Sequence, residues 1–299
     1  MSASEAPAMP PWRCWLLATR PRTLGAAIAP VVLGGSLAWA DDVAHLGAWA
    51  AALWGALLIQ VGTNFANDYF DYVKGADTEE RIGPTRATQA GWVTPGAMRR
   101  AMVLAFTLSL PAGAWLIARA GWPLAVVGVL SIASGVLYTG GPRPLGYLGL
   151  GDLFVLVFFG PVAVGGTYFV QALTLPGHVL VAGLAPGLLA TALLVVNNLR
   201  DMDTDRAAGK RTLAVRFGET FARLEYTGAV VAGCGVPLWL VVNQGSHHGA
   251  LLSLLTLVLA IPLLQGVWTG RRGQLLPHLG GTGRLLLVHS LLFSVGWVL

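Results

Sequence analysis

Residues 46–73 read LGAWAAALWGALLIQVGTNFANDYFDYV. From Leu46 the chain runs without a charge until Asp68, 22 residues on, and then carries a second acid at Asp71. At 1.5 Å per residue that is about 33 Å of helix, enough to cross roughly 30 Å of hydrocarbon. The stretch therefore reads as a membrane-spanning helix with carboxylates at one mouth. Inserting an acid into such a helix costs about 2.5–3.5 kcal/mol at its centre, so each one asks for a reason.

The rest of the chain agrees with a membrane solvent. Of 299 residues, 55% are apolar and 11% charged, with a mean hydropathy of +0.66. A soluble domain carries about 25% charged residues, and a disordered one is poor in apolar residues, so both classes are excluded. Apolar stretches near 23–40, 46–70, 98–118, 122–140, 150–172, 178–200, 222–243, 249–269 and 283–298 predict an all-α polytopic membrane protein. About nine transmembrane helices are expected in one bundle around a central cavity. A single domain over 1–299 is expected, with 1–22 as an N-terminal cytoplasmic segment. Residues 13–40 imitate a secretory signal, ending on Ala38-Trp39-Ala40, but the chain continues as membrane helices. Cys14 and Cys234 form no disulfide framework or metal-ligand spacing.

Nine spans put the polar segments alternately on two sides. One side receives 18 of the Lys and Arg residues, the other only Arg119. Such a bias predicts a plasma (inner) membrane protein with a cytoplasmic N-terminus and an external C-terminus. His45, His178, His247 and His248 fall on the outer side.

Eight of the fourteen acids lie in two clusters. The first reads Asn64-Phe-Ala-Asn67-Asp68-Tyr-Phe-Asp71-Tyr-Val-Lys74-Gly-Ala-Asp77, then Glu79 and Glu80. The second reads Asn197-Asn198-Leu-Arg200-Asp201-Met-Asp203-Thr-Asp205. If the helices continue through them, Asn64, Asp68 and Asp71 share one face, and so do Asn197, Asp201 and Asp205. Asp68 and Asp201 lie equally deep, at the cytoplasmic mouth. Facing carboxylate stripes repel unless cations lie between them, and oxygen-only ligands favour Mg²⁺. That ion keeps waters and binds phosphate oxygens, so the natural third party is a phosphorylated ligand. Lys74, Arg81, Arg86, Arg143, Lys210 and Arg211 can grip its oxygens. Nine apolar helices around such a head suggest that its remainder is a lipid, and an isoprenoid diphosphate has both parts. Membrane lipid is the expected surrounding partner; nucleic acid is not an expected one.

These motifs resemble the UbiA superfamily of intramembrane aromatic prenyltransferases, which carry an N-D-x-x-D motif on the second helix and D-x-x-x-D on the sixth. Here they read Asn67-Asp68-Tyr69-Phe70-Asp71 and Asp201-Met202-Asp203-Thr204-Asp205. Family members often place a further Asp four residues after the second one; this chain has Gly75 there and Asp77 two residues on. Softer runs, Arg20-Pro21-Arg22-Thr23-Leu24, Arg81-Ile82-Gly83-Pro84, Tyr138-Thr139-Gly140-Gly141-Pro142-Arg143 and Gly149-Leu150-Gly151-Asp152, resemble the branch acting on 1,4-dihydroxy-2-naphthoate. The resemblance implies polyprenyl diphosphate and dihydroxynaphthoate as substrates, with release of CO₂ and diphosphate, and demethylmenaquinol as product. It implies Asn67, Asp68, Asp71, Asp201 and Asp205 as catalytic. Asp68, Asp71, Asp201, Asp205, Asn64 and Asn197 would bind magnesium, two ions with the diphosphate. Lys74, Arg81, Arg143, Lys210 and Arg22 would hold the leaving group.

Other acceptors, such as 4-hydroxybenzoate or homogentisate, remain alternatives within the family, and a secondary transporter is an alternative outside it. Loop 72–97 reads as a lid or as a plain connector. Tyr69, Tyr72 and Tyr138 read as interfacial anchors or as cation-stabilising rings. Asp152 reads as a helix N-cap or a substrate ligand. Pro161 and Pro186 are expected to kink their helices.

Overall fold

The computed structural model describes residues 9–75, 83 and 85–299, apart from the side chain of Arg22. Helix α1 (Pro11–Ala18) is followed by α2 (Pro21–Ala40), α3 (Leu46–Val73), α4 (Pro95–Ala120), α5 (Pro123–Leu137) and α6 (Gly151–Ala172). Then come α7 (Gly177–Arg200), the short α8 (Met202–Ala207) and α9 (Leu213–Phe217), α10 (Glu219–Gln244), α11 (His248–Thr269) and α12 (Leu276–Val298). Eight of these helices are long and apolar enough to cross a membrane. Where a ninth span is expected, α5 has 15 residues, about 22 Å of helix, and ends at Tyr138. The chain is a multi-pass helical membrane protein.

Local chemistry sets the helix ends. Thr94 Oγ1 accepts the Ala97 N–H with Pro95 at the first helical position, and His45 Nδ1 accepts the Ala48 N–H at 3.0 Å. Gly245 closes α10 with φ +66°, the left-handed geometry that glycine adopts without a Cβ penalty. Helix α1 lies within residues 1–22, where the sequence predicts a cytoplasmic segment and no helix. Cys14 and Ala18 bury against the α3 side of the bundle, whereas Trp12, Leu16 and Leu17 stay exposed.

Helix α7 is the most enclosed of the eight long helices. Leu189, Ala192, Val196 and Leu199 on it pack with Tyr226 and Val230 of α10 and Leu285 of α12. Pro161 does break α6, which passes through a π-helical turn over Phe158–Val162, with Gly160 at φ −112°, ψ −112°. At that turn α6 and α7 touch backbone to backbone: a Cβ on Gly183 would lie 2.8 Å from Pro161 Cα. The turn swings Phe158 and Phe159 into the bundle, where they line a cavity.

On the side opposite the acidic motifs, the lone basic residue Arg119 is fully engaged, donating to the Val170 and Gln171 carbonyls at 2.8 and 3.2 Å. Asp41 there accepts the Tyr168 hydroxyl at 2.6 Å.

Candidate active site

Helix α3 continues through the first motif, as expected, but its polar residues part company. Asp71 Oδ2 accepts from the Arg86 guanidinium at 2.8 Å, a pair in which both side chains are buried. Asp71 Oδ1 is buried with no hydrogen bond among the described residues, 3.6 Å from Lys210 Nζ. Asn67 Oδ1 accepts the Thr139 hydroxyl at 2.9 Å. Asp68 does something else: its two oxygens accept the backbone N–H groups of Ala87 and Thr88, both at 3.0 Å. Asn64 donates to the Thr19 carbonyl at 2.9 Å and to Thr23 Oγ1 at 3.4 Å.

The second motif is not one continuous helix. Helix α7 ends on Arg200, and Asp201 sits at the break with φ −91°, ψ +8° before α8 begins. The break lets Arg200 fold onto its neighbour, donating from Nε and Nη2 to the two Asp201 oxygens at 2.7 and 2.6 Å. The same Nη2 donates to Asn197 Oδ1 at 2.8 Å. Asp205 lies 3.5 Å from Lys210 Nζ, and burial pushes its carboxyl up to about 6, aided by Asp201 and Asp71 and opposed by Lys210.

Lys210 is thus a cation held between one carboxylate of each motif. The two helix ends meet at a single mouth, and the charge balance demands positive charge between them. Lys210 Nζ also lies 5.3 Å from the centre of the Tyr147 ring, with Lys74 Nζ at 5.1 Å. Lys74 itself donates to the Thr139 and Gly141 carbonyls at 2.6 and 2.9 Å, and burial lowers its pKa.

A polar cavity of about 210 Å³ collects Asn67, Asp71, Asn197, Asp201, Asp205 and Lys210. Asn64 and Asp68 are not among its walls. One helix face is wide enough to be shared: the α1–α2 turn covers it at Asn64 and the 87–88 segment at Asp68, so Asp71 is left to the cavity. Lys74 and the exposed Arg143 also lie off the wall. Arg81, Asp77, Glu79, Glu80 and the Arg22 side chain lie outside the described residues.

Sequence reasoning passed over several wall residues. Arg20, Gln60, Asn198 and Tyr147 line the polar cavity, and so does Arg86, which was set among the loop cations. Arg20 had a signal in the Arg20-Pro21-Arg22 run, and Asn198 stands beside Asn197; Gln60 and Tyr147 had none. A second cavity of about 500 Å³, almost wholly apolar, lies between α2, α3, α4, α5 and α6. Gln60, Tyr138, Val155 and Phe159 line both cavities, so they mark where a polar head gives way to an apolar chain. Tyr138 is therefore a wall of the chamber, and not merely an anchor at the membrane surface.

Among the described residues no three His, Cys, Asp or Glu side chains close around one ion. The cavity's donors are carboxylate and amide oxygens, with one buried Asp71 oxygen left over and ammonium and guanidinium groups at the carboxylates. Such a set suits a hard divalent cation that shares its shell with an anionic ligand.

The profile of the UbiA prenyltransferase family matches residues 27–276. The chain is 40% identical to 1,4-dihydroxy-2-naphthoate octaprenyltransferase of Escherichia coli, across 95% of this chain and 94% of that one. It is 41% identical to the enzyme of the same name from Mycobacterium tuberculosis, across 93% and 94%. The fold is similar to that of a UbiA homolog from Archaeoglobus fulgidus bound to GPP and Mg²⁺, with a TM-score of 0.65 at 14% identity over 94% of this chain and 99% of that one. By its family match and by relatives that run nearly its whole length, the chain belongs to the UbiA prenyltransferase family.

Proposed function

We propose that this chain transfers a polyprenyl group from polyprenyl diphosphate to 1,4-dihydroxy-2-naphthoate, releasing CO₂ and diphosphate and giving demethylmenaquinol. The observation that carries the reading is Lys210, whose ammonium sits 3.6 Å from Asp71 and 3.5 Å from Asp205. Two motifs 130 residues apart in sequence need one cation between them, above a chamber whose neighbour is apolar. Relatives named for this reaction, at 40–41% identity, supply the acceptor.

Asp71, Asp201 and Asp205, with Asn67 and Asn197, are the oxygen donors for magnesium. Two divalent ions bound with the diphosphate supply positive charge against a leaving group near three negative charges. Lys210 and Arg86 bind its remaining oxygens. The apolar cavity takes the prenyl chain, so the bond that breaks lies beside Gln60, Tyr138, Val155 and Phe159. Their packing keeps water from an allylic cation, and the Tyr138 ring face stabilises it. The aromatic acceptor attacks from the polar side at the ring carbon that bears its carboxylate, and departure of that carboxylate as CO₂ returns the bonding pair to the ring and restores aromaticity with no net loss of a proton. Asp68 holds the 87–88 segment against α3. In this reading the whole chain is one unit in the plasma membrane, with the N-terminus and mouth cytoplasmic and the C-terminus outside, an orientation supported by the skew of its basic residues and by α5 serving as a short ninth span.

Incubation of purified protein with labelled polyprenyl diphosphate, Mg²⁺ and each of several acceptors tests the assignment. Dihydroxynaphthoate is expected to be prenylated. Turnover of 4-hydroxybenzoate with none of dihydroxynaphthoate would overturn it.

A further inference from the structure

Arg20 is a non-glycine residue in the left-handed region, with φ +53° and ψ +67°, in the two-residue joint, Thr19-Arg20, between α1 and α2. For a residue with a Cβ that conformation is disfavoured and persists only where neighbours enforce it. Here the enforcing side chain is Asn64 of the first motif. Its amide donates to the Thr19 carbonyl at 2.9 Å, fixing the peptide that enters Arg20. It also donates to Thr23 Oγ1 at 3.4 Å, and that hydroxyl donates on to the Arg20 carbonyl at 3.0 Å, fixing the peptide that leaves. The Thr23 N–H reaches the same carbonyl at 2.9 Å. One residue along, Phe65 meets Trp15 of α1 edge-on at 5.8 Å, so the helix before the joint is braced on α3 as well. Asn64 is 3% exposed, and its position permits little else.

The joint has a chemical result. It puts Arg20 on the wall of the polar cavity that Asn197 and Asp201 also line, with guanidinium atom Nη2 buried. An ordinary helical linkage of α1 to α2 would turn that side chain elsewhere. We propose that Asn64 is a positioning residue that locks Arg20 in its left-handed conformation, so that the guanidinium binds an anionic group of a substrate in the polar cavity. Two such anions exist in the reaction proposed above, the diphosphate and the acceptor's carboxylate, and both suit a guanidinium fork. The inference rests on that reaction.

The test compares wild type with Asn64→Ala, Thr23→Val, Arg20→Ala and the Asn64→Ala/Arg20→Ala double variant. KM for each substrate and the Mg²⁺ concentration for half-maximal activity are measured. Binding of geranyl thiolodiphosphate and of dihydroxynaphthoate is measured separately by calorimetry without Mg²⁺. Asn64→Ala and Arg20→Ala are each expected to weaken the same anion about tenfold, and Thr23→Val about threefold. The double variant is expected to be no worse than Arg20→Ala alone, with the Mg²⁺ requirement within about twofold of wild type throughout. A shift in the diphosphate arm or in the carboxylate arm says which anion Arg20 holds. Additive effects, unchanged KM and binding, or a Mg²⁺ requirement raised tenfold by Asn64→Ala would overturn the inference. An inactive wild type would instead sink the reaction itself. Thr23→Val keeps Asn64 in place, so it answers the question even if Asn64→Ala fails to fold.

Discussion

At Asp71 two cations compete for one carboxylate: Arg86 on Oδ2 at 2.8 Å and Lys210 near Oδ1 at 3.6 Å. At Asp68, one turn earlier, no side-chain cation is needed, because backbone N–H groups fill both oxygens. The two acids look equivalent in sequence and have different partners. Asp71→Ala is expected to lower kcat/KM about a hundredfold or more, since charge stabilisation of a leaving group is at stake, and a steady-state assay reads it. Asp68→Asn is expected to act on stability, costing about 1–2 kcal/mol in a detergent unfolding experiment, because an amide nitrogen then faces a backbone donor. Its half-saturating Mg²⁺ should stay within about twofold of wild type. Sequence periodicity put Asn64, Asp68 and Asp71 on one face correctly; it carries no information on which neighbouring segment covers each part of that face.

At the scale of elements, the joint between α6 and α7 is built from absences. Gly160, Gly183 and Gly187 let two backbones touch, and the π-helical turn at Pro161 turns Phe159 toward both cavities. A Cβ at Gly183 meets backbone atoms of Gly160 and Pro161 at 2.8–3.0 Å, which cannot swing aside. Gly183→Ala is therefore expected to cost about 1–3 kcal/mol, read as a lower unfolding midpoint in detergent, with reduced turnover as Phe159 shifts. The long helices were legible because twenty apolar residues have few other fates. Two features were not. Helix α1 has eight residues, about two turns, too few for a periodicity to set it apart within the N-terminal segment. The interruption at Asp201 has no glycine or proline to announce it, so the second motif read as unbroken helix.

Across the whole molecule, the acids gather where a polar cavity meets an apolar one of about 500 Å³, and that division matches a ligand with a charged head and a long tail. Gly128 lines the apolar cavity, and a Cβ there would meet nothing within 4 Å. Gly128→Phe should enter that space, lowering kcat/KM for a forty-carbon prenyl diphosphate roughly tenfold, about 1.4 kcal/mol, while a ten-carbon one is spared. The two-chamber design was not readable from sequence, since Gln60, Tyr138, Val155 and Phe159 come from three separate helical segments and meet only in the fold. If both motifs grip one diphosphate through magnesium, removing a carboxylate from either one removes the ion's effect on binding. Calorimetric titration of geranyl thiolodiphosphate into wild type, Asp71→Asn and Asp205→Asn, with and without Mg²⁺, tests it most directly. The account expects Mg²⁺ to tighten binding to wild type at least tenfold and to do so in neither variant; equal tightening in all three proteins would contradict it.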